Sequence, residues 1–406
     1  MHPDKPSHQR NILLFSGWQT INIGDIGHTP GTLRFLEEQI PEAHLAVALQ
    51  ATNPQVTEML RLRFPRVTWV DGTLDPLGVA TNNELQAVFD SADLVIQNSG
   101  MLYNRFWPND GEVLQACVHR KKPFGIYGQS FDGFHTDKQQ QLVWLLNKAS
   151  FVFCRDSLSL DYLKSVGVRN EKLSWGPDGC FGIDVRDDAT ADQFLRESGL
   201  ATGAFVAVVL RTNTPKSKHA GALNPVHPTP EQQTTDKRWA AALCQVMEWI
   251  LENTDASILL APEVDKEVLH AKRLLWEPLA QKWPDRIVHR DGFWNADEAF
   301  SVYSRARYLV AMEPHSCIMA LAAGIPALHY YSKTHGNKAQ MFADIGLADW
   351  LIDIDNQPVK AVIDQLSLWS LDETSARTKA RLGMNQVERR AKERACDLRQ
   401  ALNLPA

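Results

Sequence analysis

Short apolar runs recur along the chain, and most are separated by stretches long enough for an amphipathic helix. This alternation is typical of β-α-β units, in which crossover helices join the strands of a parallel sheet. The runs predict strands at Ile12–Ser16, Leu45–Leu49, Val67–Val70, Leu94–Gln97, Phe124–Tyr127, Phe151–Cys154, Phe205–Leu210, Ile258–Ala261, Arg286–His289, Tyr308–Met312, Ala327–Tyr330 and Trp350–Ile354. The stretches between them predict helices such as Gly31–Gln39, Gln55–Phe64 and Leu142–Lys148. The pattern therefore favours an α/β fold.

The chain has 406 residues, which is more than one hydrophobic core usually organises. The strand pattern is interrupted over residues 175–202, which contain Gly176-Pro-Asp-Gly179 and an acidic run. We therefore predict two Rossmann-like domains that face a cleft, over residues 1–185 and 186–370. A helical segment over residues 371–406 follows them.

Composition narrows the class of protein. The formal net charge is −6 and no long basic run offsets it, which argues against a general role on nucleic acids or membrane surfaces. The six cysteines are scattered without a CxxC pair, which favours reduced thiols over a disulfide framework or a zinc site. The N-terminus is polar, and no apolar run approaches the roughly 20 residues that cross a bilayer. We expect a soluble cytoplasmic protein.

The sharpest change from apolar to polar follows the run Tyr308–Met312. Glu313, Pro314, His315 and Ser316 come next, and a helix pattern of small residues begins there. Ligands of open parallel sheets bind at such strand-to-helix corners, where the first N–H groups and the dipole of the helix attract anions. The alternative is that Ser316 merely caps a core helix and His315 is an ordinary loop residue.

The segment 17–31 joins the first predicted strand to the first helix. It places Asn22, Asp25 and His28 in one glycine-containing loop at the strand end, without the spacing of a dinucleotide fingerprint. Asp25 is a candidate general base toward a hydroxyl acceptor. Equally, it is a candidate cap for the following turn, which is the common role of such residues.

Small and amide-bearing residues also follow the fourth and fifth predicted strands. They are candidates for meeting the hydroxyls of a sugar, although such residues also occur in turns for conformational reasons alone. The candidates are Asn98, Ser99, Gly100 and Gln129.

Arg211 ends the first strand of the second predicted domain. A guanidinium there suits a carboxylate or phosphate ligand, and the alternative is an ion pair at the domain interface. The polar stretch Thr212–Asp236 follows it, and is either an active-site lid or an inert insertion. Asp353-Ile-Asp355 matches a DxD pattern by chance, so no metal site is predicted. Tryptophans in predicted loops offer stacking surfaces for sugar rings: Trp18, Trp107 and Trp294.

Taken in order, several of these segments resemble motifs of the polysaccharide pyruvyl transferase family. The resemblance spans most of residues 11–350, and rests on the order and spacing of the motifs rather than on any one of them. The matching segments are Asn22-Ile-Gly24-Asp25, Ala92 through Gly100, Lys122 through Gln129, Arg155 through Gly167, Pro177-Asp178, Val208 through Arg211, and His315-Ser316 followed by Ala322, Gly324 and Pro326.

The resemblance implies a glycosyltransferase-B-like fold and an enzyme that moves the enolpyruvyl unit of phosphoenolpyruvate onto a saccharide. The product is a cyclic pyruvate ketal, and phosphate leaves. His315 is implied to be the acid/base or phosphate-binding residue, Asp25 a base toward the acceptor, and Arg211 a ligand of the donor. The other residues implied to bind substrate are Glu313, Ser316, Asn22, Gly24, Asn98, Ser99, Gly100, Gln129 and Lys333.

The same resemblance implies that residues 1–185 take the acceptor and residues 186–370 take the donor. Phosphoenolpyruvate is the donor substrate, so no further cofactor is expected. The acceptor is a saccharide or glycolipid, and the oligomeric state stays open.

One departure from the family pattern bears on the donor, because Glu313-Pro314 stands where the family has Arg-Leu. At an effective dielectric of about 20, one charge pair near 4 Å amounts to roughly 4 kcal/mol before screening. Cations that could compensate for Glu313 are Lys216, Lys218, Lys333 and Lys338. Two alternatives therefore stay open: a glycosyltransferase that uses a nucleotide-sugar, and a non-catalytic glycan-binding relative.

Overall fold

The computed structural model describes residues 10–51, 53–104, 109–213 and 228–405. These residues form two compact units, each built around its own parallel sheet. The first domain takes the chain up to Thr20, Asp25–Asp184 and the residues from Gln386 onward. The second domain takes Ile21–Gly24 and Val185–Asn385.

The first domain contains a seven-stranded sheet in the order β3-β2-β1-β4-β5-β6-β7, with every pair of neighbours parallel. Its strands are β1 (Asn11–Ser16), β2 (His44–Leu49), β3 (Thr68–Asp71), β4 (Leu94–Gln97), β5 (Phe124–Gln129), β6 (Phe151–Cys154) and β7 (Leu173–Trp175). The helices of this part of the chain are α1 (Ile23–Gln39), α2 (Pro54–Arg63), α3 (Asn83–Ser91), α4 (Glu112–His119), α5 (Gln139–Lys148) and α6 (Ser157–Ser165).

The middle strands of this sheet are buried on both faces, which is why they read as unbroken apolar runs. β1 pairs with β2 on one side and with β4 on the other. The strand order reverses between β1 and β4, so the residues after these two strands meet at one sheet edge. In open parallel sheets this reversal is where ligands bind.

The second domain contains a six-stranded parallel sheet in the order β10-β9-β8-β11-β12-β13. Its strands are β8 (Phe205–Val209), β9 (Ser257–Leu260), β10 (Ile287–His289), β11 (Tyr308–Ala311), β12 (Ala327–Tyr331) and β13 (Leu351–Asp353). Its helices are α7 (Asp188–Glu197), α8 (Pro230–Asn253), α9 (Glu267–Ala271), α10 (Glu277–Ala280), α11 (Ala296–Tyr303), α12 (Pro314–Ala322), α13 (Gln340–Asp344), α14 (Val359–Leu371) and the first part of α15 (Glu373–Ala401).

The reversal of strand order in this sheet falls between β8 and β11. Val209 lies opposite Ala311 in the paired strands, so Arg211 and Glu313, each two residues further on, leave the sheet side by side. The second sheet therefore brings together the segments that carry the sharpest polar signals in this half of the chain.

The structure corrects two sequence predictions of local structure. α1 begins at Ile23 rather than near Gly31, so Asp25 and His28 lie on a helix and not in a loop. α8 begins at Pro230 with a capping box between Thr229 and Gln232, so the end of the predicted structureless stretch 212–236 is helical. Residues 214–227 of that stretch lie outside the described part of the chain.

Among the described helices, none combines the length and the apolar character that a bilayer span requires.

Candidate active site

His315 lies in the first turn of α12, directly after β11. Pro314 occupies the first helical position, where its fixed φ suits a helix and its missing N–H costs nothing. The imidazole is almost fully buried, and its Nδ1 lies 3.3 Å from Oε1 of Glu263. A carboxylate in this position fixes the orientation of the ring.

Glu263 also caps the start of α12. The backbone N–H of Ser316 donates to Oε2 of Glu263 at 2.6 Å, and the Ser316 hydroxyl donates to the same oxygen at 2.8 Å. The helix N-terminus was expected to present such an N–H group to a bound anion, and here the protein supplies the anion itself. Ser316 is fully buried by this arrangement, and its predicted contact with substrate stays a prediction.

The segment Ile21–Gly24 packs against the same group of residues. The Ile23 N–H donates to the Glu263 carbonyl at 3.0 Å, and the Asn22 side chain accepts the Gly24 N–H at 2.8 Å. A Cβ added to Gly24 would lie 2.3 Å from Cγ of His315, so any side chain there would displace the imidazole. Asn22 and Gly24, predicted as substrate ligands, thus lie where they set the position of His315.

Arg211 and Glu313 form an ion pair inside the second domain. Nη1 of Arg211 lies 2.6 Å from Oε2 of Glu313. The Glu313 side chain is only 2% exposed, whereas that of Arg211 is 20% exposed. The carboxylate that replaces the family's arginine is therefore matched by a cation on the neighbouring strand. Both residues belong to the second domain, so this ion pair is made within one domain.

Two histidines lie near this ion pair in the second domain. The Nδ1–H of His329, on β12, donates to the Ala311 carbonyl at 3.1 Å, and burial lowers the pKa of His329 to about 4. Burial, followed by the positive charge of Arg211, lowers the pKa of His335 well below its ordinary value. Both rings are therefore neutral at pH 7. The charge of Lys338 opposes protonation of both rings as well.

Of the four lysines proposed to compensate for the charge of Glu313, two lie in the described part of the chain. The positive charge of Lys338 acts on His329 and His335, the two rings near the Arg211–Glu313 pair. Lys333 is 73% exposed, and its Nζ lies 3.6 Å from Asp353. Lys216 and Lys218 lie outside the described residues.

In the first domain, Asp25 starts a chain of polar side chains that leads into the interior. The Gln19 amide donates to Asp25, whose carboxylate lies 3.8 Å from Nδ1 of His28. Nε2 of His28 lies 3.2 Å from Asp178, which accepts a 2.7 Å bond from Arg155. His28, Asp178 and Arg155 are buried, whereas the Asp25 side chain is 16% exposed.

The polar residues predicted to follow the fourth and fifth strands form hydrogen bonds with other side chains and with the backbone. Asn98 donates to Ser16 at 2.8 Å, and its carbonyl oxygen accepts from Thr32 at 2.7 Å. The Ser99 hydroxyl accepts the Gly179 N–H at 2.8 Å, the Gly100 N–H donates to the Gly128 carbonyl at 3.3 Å, and the Gln129 amide donates to the Asn98 carbonyl. All of them are buried, so their arrangement holds the strand ends together. Their role as substrate ligands stays a prediction.

Two of the three tryptophans proposed as stacking surfaces, Trp18 and Trp294, form hydrogen bonds with the backbone. The Trp294 indole is buried and donates to the Pro262 carbonyl at 2.8 Å, so it offers no open ring face. Trp18 donates to the Ser99 carbonyl at 2.9 Å, and Trp107 lies outside the described residues.

The sequence profile of the polysaccharide pyruvyl transferase family matches residues 22–334, which include Asp25, Arg211, Glu263, Glu313 and His315. The chain belongs to this family. A curated relative is the amylovoran biosynthesis protein AmsJ of Erwinia amylovora, which is 21% identical over 337 residues. That alignment covers 79% of this chain and 77% of AmsJ.

Solved structures resemble this pyruvyl transferase family member over nearly its whole length. Anabaena HepE in complex with UDP and glucose has a TM-score of 0.59 at 14% identity, covering 96% of this chain and 99% of HepE. The Neisseria meningitidis UDP-GlcNAc 2-epimerase has a TM-score of 0.58 at 10% identity, covering 96% of this chain and 100% of the epimerase. These likenesses confirm the predicted glycosyltransferase-B-like fold with two Rossmann-like domains.

Sequence reasoning missed Glu263, His329 and His335. The rule that found Arg211 and His315, a polar residue just beyond a strand of a parallel sheet, also applies to Glu263, which follows β9 in Ala261-Pro-Glu263. It applies to His335 too, which follows β12.

We expect Glu263→Gln to lower kcat roughly a hundredfold with little change in KM, since a positioned acid or base contributes about that much. Glutamine keeps the shape of the cap on Ser316 but removes the carboxylate that orients the imidazole. Steady-state kinetics over a range of pH will check this. Glu298→Gln is the matched control, because Glu298 is also buried and ion-paired, with Arg290 at 2.9 Å. Equal losses in the two variants would make the Glu263 effect a matter of folding alone.

Proposed function

We propose that the protein transfers the pyruvyl unit of phosphoenolpyruvate to two hydroxyls of a saccharide, forming a cyclic ketal and releasing phosphate. Family membership supports pyruvyl transfer to a polysaccharide. The observation that supports this donor is the position of His315 at the start of α12, where the buried Glu263 carboxylate holds its ring. Arg211 follows the neighbouring strand at the same end of the sheet.

The chemistry requires one acid and one base at the enol. In the first step, protonated His315 gives its proton to the methylene carbon while the first sugar hydroxyl bonds to the neighbouring carbon. Asp25 takes the proton of that hydroxyl. In the second step, the other hydroxyl bonds to the same carbon as the bond to phosphate breaks, and its proton leaves with the phosphate. Asp25 then loses its proton to solvent and His315 takes one up from solvent, so the protons balance and no cofactor is consumed.

The donor's charge explains the cations of the second domain. Phosphoenolpyruvate carries a carboxylate and a phosphate, and planar guanidinium groups bind such anions by paired hydrogen bonds. Within the described residues, the Arg211 guanidinium donates a hydrogen bond to Glu313. A guanidinium has five N–H groups, so this bond uses one of them and the other four suit a ligand.

The acceptor is proposed to be a saccharide under construction. AmsJ is a biosynthesis protein for amylovoran, which supports a biosynthetic rather than a degradative role for this relative. A nucleotide-sugar is the second candidate ligand, because HepE and Staphylococcus aureus MnaA have been solved with UDP.

Calorimetric titration with phosphoenolpyruvate, run beside UDP and UDP-sugars, tests the donor. We expect saturable binding of phosphoenolpyruvate that is lost in Arg211→Ala, and phosphate release when a suitable saccharide is added. Binding of a UDP-sugar with indifference to phosphoenolpyruvate would instead support the nucleotide-sugar reaction. Glycan binding without phosphate release would make the protein a non-catalytic relative.

A further inference from the structure

His335 is a half-buried histidine whose ring makes no hydrogen bond within the described residues. It ends a short 3₁₀ helix, Lys333–His335, that follows β12. Both of its ring nitrogens are inaccessible to solvent and have no hydrogen-bond partner in the described part of the chain. Its ring packs edge-on against Trp239, with 5.2 Å between ring centroids. Because buried polar atoms are nearly always bonded, a side chain with two such atoms points to a ligand.

The charges around His335 indicate which kind of ligand. Arg211, from the end of β8, and Lys338, from the next 3₁₀ turn, both act on the ring with positive charge. Glu313 opposes them, and His329 adds a further, weakly unfavourable effect on protonation. Burial, followed by the positive charges of Arg211 and Lys338, outweighs Glu313 and lowers the pKa of His335, which keeps the ring neutral. A dianion beside the ring would reverse this balance, since it attracts both cations and the imidazolium.

We propose that His335 binds the phosphate group of the donor and takes up one proton from solvent as it does so. This inference rests on the proposed donor. The proton adds to the free ring nitrogen of the neutral imidazole, and the imidazolium then donates to a phosphate oxygen. No other bond is made or broken in this step.

Phosphate fits these partners better than a carboxylate does. It offers three terminal oxygens and about two negative charges near neutral pH, and three basic side chains of different elements can each meet one oxygen. His329 is not an equivalent ligand, because its Nδ1 already donates to the Ala311 carbonyl and its side chain is only 1% exposed. The second domain thus separates a histidine for the phosphate, His335, from a histidine for the enol, His315.

Calorimetry in two buffers of different ionisation enthalpy, such as PIPES and Tris at pH 7.5, counts the protons taken up on binding. With phosphoenolpyruvate we expect the wild-type protein to take up close to one proton per site. His335→Gln should lose this uptake and bind at least about tenfold more weakly, because a charge-assisted hydrogen bond is lost. His119→Gln is the control, since His119 is an exposed histidine on α4.

His335→Asn, with thermal melting of both variants, guards against a folding defect as the cause of weaker binding. Unchanged proton uptake in folded His335 variants would overturn the proposal, whatever their affinity. A second titration with UDP separates the two hypotheses. Proton uptake with UDP but no binding of phosphoenolpyruvate would keep the phosphate site at His335 and reject the proposed donor. A wild-type protein that binds neither compound would reject both.

Discussion

Replacing His315 by glutamine is expected to abolish phosphate release from phosphoenolpyruvate while leaving its binding within a few-fold of wild type. General acid catalysis contributes roughly 10²–10⁴ in rate, and the enol carbon is not protonated readily without it. The donor's charges are proposed to be held by Arg211 and His335, so loss of His315 removes chemistry rather than affinity. Rapid-quench or coupled phosphate assays, paired with calorimetry, will measure the two effects separately.

His289→Gln is the matched control for His315→Gln. His289 belongs to the same domain, and its ring is also held by a carboxylate, with Nδ1 3.0 Å from Asp291. Its ring nitrogens are engaged by Asp291 and by the Val268 carbonyl, away from α12. Turnover of His315→Gln within about tenfold of wild type would remove this histidine from the mechanism, since a general acid contributes more than that.

The fold was largely predictable because its parallel strands are buried on both faces. Two of the predicted strands, Leu94–Gln97 and Phe151–Cys154, match β4 and β6 residue for residue. β7 was missed, since it is three residues long at the sheet edge and its residues are only half-buried. The first turns of α1 were missed because Gly24 and Pro30 weaken a helix prediction. Burial of its apolar side chains overrides that low propensity.

The sequence predicted individual site residues at strand ends, but not which of them contact one another. Strand ends revealed Arg211 and His315, because a polar residue after an apolar run is visible in sequence. The partners of these residues were not visible, because Glu313 is 102 positions from Arg211 and Glu263 is 52 positions from His315. Which strand ends lie side by side depends on the order of β8, β9 and β11 in the sheet, and sequence periodicity does not determine that order.

We expect the largest combined loss of stability and donor binding when the ion pair between Arg211 and Glu313 is broken. Arg211→Met leaves the Glu313 carboxylate buried without its cation, and breaking a buried pair this way costs about 3 kcal/mol of unfolding free energy. The same change removes a donor-binding guanidinium, so phosphoenolpyruvate binding should fall below detection. Urea unfolding and calorimetry measure the two losses independently.

The double variant Arg211→Met with Glu313→Gln separates stability from function. Removing both charges leaves no unpaired buried ion, so the unfolding free energy should return to within about 1 kcal/mol of wild type, as for other neutralised buried pairs. Donor binding should stay lost, because no guanidinium remains. Recovery of phosphoenolpyruvate binding in the double variant would mean that Arg211 serves only to neutralise Glu313, and that the donor's charges are held by other groups. Failure to recover stability would mean that the pair's geometry, rather than its charge balance, supports this sheet edge.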